Sequence, residues 1–221
     1  MTASRRQDLI EELTSARAVA VLRANGAANA ATAARAILAG GVRAIEVTMT
    51  VPDAYDVMRQ LADDAEGGSL ILGAGTVLTA EEVDACVEAG ARFIVSPTCC
   101  PEVIARAVDH DVVAIPGAMT PTEVLAAWNH GADMVKIFPA ARLGPEYLSD
   151  LRGPLPDIPL VPTGGITDEN ALAYLDAGAT LLCFGSWLAD RAAMAEGRFD
   201  VLTERARRIH DLIRGYEEAH R

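Results

Sequence analysis

The sequence predicts an α/β protein, a (β/α)8 TIM barrel with an additional N-terminal helix, and three observations predict it. Eight short apolar runs rich in β-branched residues recur along the 221 residues, with helical-period stretches between them. A glycine ends a helix and starts a strand four times, at "GVRAIEVT" (41–48), "GARFIVSP" (90–97), "GADMVKIF" (131–138) and "GATLLCFG" (178–185). No Ser/Gly linker or break in composition divides the chain. Residues 1–221 therefore read as one barrel domain, with an N-terminal helix in 1–16, a core over 17–190 and a C-terminal helical segment over 191–221. An open doubly wound sheet is the alternative, and it does not need as many as eight evenly spaced units.

In chain order, a helix over about 4–16 precedes the first strand, "AVAVLR" (18–23). The second strand, "AIEVTM" (44–49), is followed by the helical "DAYDVMRQLADDA", and the third, "LILGAG" (70–75), by "TAEEVDACVEAG". "FIVSP" (93–97) leads into "PEVIARAVDH", and "VVAIPG" (112–117) into "PTEVLAAWNHG". The last three strands are "MVKIFP" (134–139), "PLVPTGG" (159–165) and "LLCFGS" (181–186), and a helix over about 200–219 closes the chain. Thr or Pro opens several of these helices, as the first turn favours.

Hydrophobic residues make up 51%, charged residues 23% and aromatics 5%, an ordinary globular composition. The net charge of −12 argues against nucleic acid or an anionic membrane as partner. An anionic substrate must then be met by local positive potential. The first two dozen residues lack a long apolar stretch before a small-residue cleavage site, so they do not read as a signal peptide. No run reaches the length of a membrane-spanning helix. Cys86, Cys99, Cys100 and Cys183 show neither CxxC nor zinc-ligand spacing and read as free thiols in a reducing cytoplasm. None of the four histidines lies at the end of an apolar run, so metal or histidine-based chemistry has little to build on.

Lys136 is the only lysine, against eighteen arginines, and it lies inside the apolar run "MVKIFP". Arginine stays protonated in proteins, whereas a buried lysine can lose its proton and become a nucleophile. The glycine repeat places this lysine. Counting from each glycine, the fourth residue on is Ile45, Ile94, Val135 or Leu182, all apolar and expected to face the helices. The fifth, Glu46, Val95, Lys136 or Cys183, then faces the interior, where alternate strands supply the four side chains of one layer. The next inward set, nearer the mouth, is Thr48, Pro97, Phe138 and Gly185.

Glu46 and Lys136 can be a buried structural ion pair, but desolvation costs several kcal/mol per ion and apolar residues often serve as well. The chemical reading is a lysine whose pKa falls from about 10.4 to about 7–8 in apolar surroundings, with Ile137 and Phe138 beside it. An ionised Glu46 works against that fall. The neutral amine attacks a ketone and forms a Schiff base, an electron sink for cleaving or making a carbon–carbon bond. Glu46 is then the acid–base group for the proton transfers.

"PTGG" (162–165) after the seventh strand and "FGS" (184–186) after the eighth stand where this fold often binds phosphate, and Ser186 adds a hydroxyl. Arg23, at the end of the first strand, can hold a substrate carboxylate or pair with an acidic surface residue. Thr76 in "GAGTV" and Thr163 reach the same rim. Trp187 shapes the pocket or packs a helix.

Taken in order and spacing, "IEVTMTVPDA", "GAGTV", "FIVSP", "IPGAMTPTE", "VKIFPA", "VPTGGI" and "GSWL" resemble the class I aldolase family of 2-keto-3-deoxy-6-phosphogluconate (KDPG) and 4-hydroxy-2-oxoglutarate (KHG) over roughly residues 17–190. The resemblance implies a (β/α)8 barrel, a homotrimer, and a pyruvate Schiff base with no metal. It implies Lys136 as the Schiff-base lysine, Glu46 as general acid/base, and Thr76 at a pyruvate-binding position. Pro97, Phe138 and Thr163 match pocket-lining positions, and Gly164, Gly165, Gly185 and Ser186 match the phosphate-binding loops. Many members read E-V-T-x-R, whereas Thr50 stands at the arginine's place here. Arg23 is therefore expected to take over the carboxylate contact. The implied reaction cleaves KDPG to pyruvate and glyceraldehyde 3-phosphate. KHG or the phosphogalactonate epimer is a rival substrate, and a phosphosugar isomerase or epimerase or a non-catalytic anion-binding barrel a rival class.

Overall fold

The computed structural model describes residues 5–64 and 70–220. The expected helix over 4–16 is α1 (Arg5–Ala16), so Ser4 lies outside the described residues, as do Ala65 of the helical stretch after the second strand and Arg221. Nine strands follow among the described residues, not eight. They are β1 (Ala18–Leu22), β2 (Ala44–Thr48), β3 (Ile71–Gly75), β4 (Phe93–Val95), β5 (Val113–Ile115), β6 (Gly117–Ala118), β7 (Val135–Ile137), β8 (Leu160–Pro162) and β9 (Leu182–Phe184). The expected fifth strand is split at Pro116, which has no N–H to give to a ladder.

The sheets are parallel throughout. One has the order β5-β4-β3-β2-β1-β9 and the other β6-β7-β8. Backbone bonds join them at both seams. Asp133 N donates to Ala114 O at 3.0 Å on one side, and Thr180 N to Leu160 O at 2.9 Å on the other, where Thr163 and Cys183 also form a parallel bridge.

Every residue of the three five-residue strands β1, β2 and β3 is buried, as expected where a parallel sheet is covered on both faces. Alternation then sorts the side chains. Ile45, Val47, Ile94, Val135, Ile137 and Leu182 belong to the large cluster beneath the helices. Val19, Val21, Phe93, Val95, Val161 and Cys183 belong to a separate interior cluster. Leu9 and Leu13 of α1 join that interior cluster, so α1 closes its amino-terminal end. Arg6 anchors α1 to a residue distant in sequence: its Nε donates to both Asp133 carboxylate oxygens at 2.9 Å.

Helix boundaries follow local chemistry. In α4 (Ala80–Glu88) the Thr79 hydroxyl accepts from Glu82 N, and in α6 (Pro121–Asn129) Thr120 and Glu123 form a capping box behind Pro121. The four repeat glycines, Gly41, Gly90, Gly131 and Gly178, all have φ between 89° and 99°. Each follows a helix end in the left-handed region that glycine enters without strain, which is the physical content of the repeat. The segment after 190 holds two helices, α9 (Arg191–Ala195) and α10 (Phe199–Ala219). The remaining elements are α2 (Ala27–Ala39), α3 (Ala54–Asp64), α5 (Pro101–Asp109), α7 (Gly144–Arg152), α8 (Ala171–Asp176) and a 3-10 turn at Ala140–Arg142.

Candidate active site

In β2, Ile45 and Val47 face the helices, which turns Glu46 inward with no exposed surface. Its register partners are Val21 on β1 and Gly73 on β3. Among the described residues, neither carboxylate oxygen has a hydrogen-bond partner. Burial raises the Glu46 pKa, and the charges of Lys136 and then Arg23 oppose the rise without cancelling it. Room for the carboxyl is made by Gly75, where a Cβ would overlap Glu46 Oε1. Gly73 makes similar room for the Phe93 ring.

In β7, Val135 and Ile137 face the helices and Lys136 faces inward, 3% exposed. Its amine stands 5.1 Å from the centre of the Phe138 ring. Ile137, expected beside the amine, packs instead on the opposite face, because adjacent residues of a strand point apart. Cys183 lies on the same interior side. Burial, and next the Glu46 charge, push its thiol up to about 12, while a Thr163 hydrogen bond and Lys136 pull the other way. A structural ion pair would be closed by direct hydrogen bonds. Here the acid and the amine sense each other's charge, but among the described residues the carboxyl has no hydrogen-bond partner.

Above them opens a cleft of about 330 Å³ at the carboxyl ends of the strands. Seven of the residues expected at the site line it: Arg23, Phe138, Thr163, Gly164, Gly165, Gly185 and Ser186. Gly164 and Gly165 have φ of 93° and 78°, and a Cβ on Gly165 would strike that of Ala141. Arg191, the first residue of α9, also lines the cleft and was not anticipated. "LADRAAM" carries an Asp cap as a helix-start signal, but nothing local says which way the next side chain points. Larger hollows of about 510 and 630 Å³ lie at the opposite end, beside α1.

Five expected residues stand outside the cleft lining: the buried pair Glu46 and Lys136, and Thr50, Thr76 and Pro97. The Thr50 hydroxyl is 2.8 Å from that of Thr48, which in turn donates to Leu22 O at 3.0 Å. Thr48 has one hydroxyl proton, so Thr50 must be the donor between the two. Thr76 follows β3 at φ 60°, an uncommon conformation for a β-branched residue. Pro97 is half-buried after β4, its carbonyl packed against Gly117. Among the described residues, no group of three or more His, Cys, Asp or Glu is placed to hold a metal ion, and no helix is long and apolar enough to cross a membrane.

The family profile described as KDPG and KHG aldolase matches residues 9–204. The 2-dehydro-3-deoxy-phosphogluconate aldolase of Treponema pallidum is 37% identical over 199 residues, 88% of this chain and 92% of that one. The 2-dehydro-3-deoxy-6-phosphogalactonate aldolase of Escherichia coli is 38% identical over 152 residues, 68% of this chain and 74% of that one. Among solved structures, KDPG aldolase from Legionella pneumophila, with pyruvate captured at low pH as a covalent carbinolamine intermediate, is similar at a TM-score of 0.81 and 28% identity. It covers 90% of this chain and 96% of that one. Matches of this extent, on a parallel α/β fold that encloses an amine and an acid, make the protein a carbon–carbon lyase of the aldolase class. More narrowly, the chain belongs to the KDPG and KHG aldolase family.

Proposed function

We propose that the protein cleaves 2-keto-3-deoxy-6-phosphogluconate to pyruvate and glyceraldehyde 3-phosphate through a lysine imine, within a closed (β/α)8 barrel. Backbone bonds across both sheet seams support the closure. The observation that carries the chemistry is Lys136 buried near an unpartnered Glu46 beneath a cleft lined by arginine and glycine.

The Lys136 amine attacks the C2 ketone, and loss of water from the carbinolamine leaves an iminium. Glu46, directly or through a water, takes the proton of the C4 hydroxyl. The C3–C4 electrons then move into the iminium to form an enamine, and glyceraldehyde 3-phosphate departs. Glu46 returns the proton to C3, and hydrolysis of the resulting imine releases pyruvate and the free amine. A carboxyl whose pKa is raised by burial suits this alternation, since a group that both takes and gives a proton works best near the operating pH. Arg23, whose charge reaches Glu46, holds the C1 carboxylate. Thr76, Pro97, Phe138 and Thr163 shape the pyruvate pocket, and the Gly164–Gly165 and Gly185–Ser186 loops take the phosphate.

A homotrimer in the cytoplasm completes the reading. Met119, Leu125 and Trp128, in and just before α6, are large apolar side chains at least 38% exposed, of the kind a subunit contact covers. The four cysteines are unbridged. Sedimentation tests the assembly. The decisive test of the chemistry is borohydride reduction with pyruvate followed by peptide mapping. The expected result is a label on Lys136, and neither label nor cleavage in Lys136→Arg. An unlabelled but active wild type would overturn the reading, and steady-state comparison of KDPG with KHG checks the phosphate preference.

A further inference from the structure

We propose that Arg191 is a specificity-determining residue of this aldolase, supplying the cation that meets the substrate's terminal phosphate. The inference rests on the reading of a phosphorylated substrate given above and goes beyond it, since that reading leaves the phosphate to backbone amides and one hydroxyl. A phosphate monoester carries between about −1.5 and −2 charges at neutral pH. The molecule as a whole carries −12 and offers no favourable long-range field. Two arginines line the cleft, and with Arg23 committed to the carboxylate end, Arg191 is the remaining cation.

Three features suit Arg191 to the task. It shares the cleft with Gly164, Gly165 and Ser186, the groups expected at phosphate. Among the described residues its guanidinium takes no hydrogen bond or ion pair, whereas eleven ion pairs tie up other side chains. Its neighbour in sequence, Asp190, is in no position to neutralise it. The Asp190 carboxylate accepts from Ala192 N at 2.9 Å and Ala193 N at 3.0 Å, and pairs with Arg205 at 3.0 Å. Arg205 also donates to Trp187 O, which fixes the backbone from Trp187 to Asp190 and so the origin of the Arg191 side chain. A free, planar, bidentate donor is thus aimed at the cleft from a pinned backbone, the arrangement that favours arginine over lysine for phosphate.

The test compares wild type, Arg191→Gln and Arg191→Lys on KDPG and on the non-phosphorylated KHG, with inorganic phosphate as a competitive inhibitor. In the Gln variant kcat/KM for KDPG is expected to fall roughly 10- to 100-fold more than kcat/KM for KHG, mainly through KM, and the inhibition constant for phosphate to rise in parallel. The Lys variant recovers part of both. Equal losses on the two substrates, or no loss on KDPG in a wild type that prefers it, would overturn the role of Arg191 while leaving the phosphorylated substrate standing. A wild type indifferent to the phosphate would overturn both, and that outcome is visible without any variant.

Discussion

Gly75 faces the Glu46 carboxyl so closely that any β-carbon there would occupy the place of Oε1. The alternation of β3 puts Ile71, Gly73 and Gly75 on the interior side, and the two glycines leave space for Phe93 and Glu46 in turn. The motif "GAG" is therefore a pair of vacancies cut to fit two particular neighbours.

Gly75→Ala is expected to displace the Glu46 carboxyl and lower kcat by at least about 100-fold, the scale of losing a positioned acid–base group. Gly215→Ala is the control. It lies in α10 with open space around its missing Cβ, so it should leave turnover unchanged and stabilise by roughly 0.5–1 kcal/mol. Steady-state kinetics and thermal melts of both variants check the contrast.

Glu46→Gln should keep the fold and lose most turnover. Its stability should also depart from wild type in a pH-dependent way. The Glu46 pKa is raised in the folded state above the ordinary 4.5, so between those values the folded protein holds a proton that the unfolded chain has lost. Wild-type stability therefore falls as pH rises from 4.5 through the folded pKa, and below 4.5 the penalty vanishes. The variant carries no such penalty, so its advantage should widen with pH. Denaturant titrations at pH 5, 6 and 7 measure the gap, and an advantage that shrinks with rising pH contradicts the assignment.

Thr50 replaces an arginine frequent in the family, yet its hydroxyl proton is committed to Thr48. It therefore turns only lone pairs outward and cannot donate to a carboxylate. Thr50→Val is expected to change kcat/KM by less than about threefold, whereas Arg23→Gln should cost roughly 10- to 100-fold. Comparable losses in the two variants would return the carboxylate contact to Thr50.

Cys86 and Cys183 are buried, and burial first, with nearby acidic charge second, lifts both thiols to about 12. Thiolate is the reactive form, so iodoacetamide should leave both untouched in the native protein and modify Cys99 and Cys100, which are partly exposed. Intact-mass measurement before and after denaturation reads the difference.

Much of this architecture was legible because parallel strands covered on both faces sort residues by parity alone. Counting from Gly41, Gly90, Gly131 and Gly178 separated Ile45, Ile94, Val135 and Leu182 from Val95 and Cys183 as the two clusters do. The same parity should have placed Ile137 away from the amine, since it adjoins Lys136 in one strand. The break at Pro116 was legible in principle, because proline cannot donate within a ladder. Arg191 and the fit of Gly75 to Glu46 were not, since each depends on which element arrives alongside, and one-dimensional spacing is silent about that.

The two leucines that α1 inserts among the strand residues stopper the vessel from below. On the proposed chemistry, traffic then runs through a single doorway. Pyruvate stays bonded to the lysine until the imine is hydrolysed and sits behind the aldehyde, so the aldehyde leaves first, whatever its affinity. In the synthetic direction the same geometry makes pyruvate the first to enter.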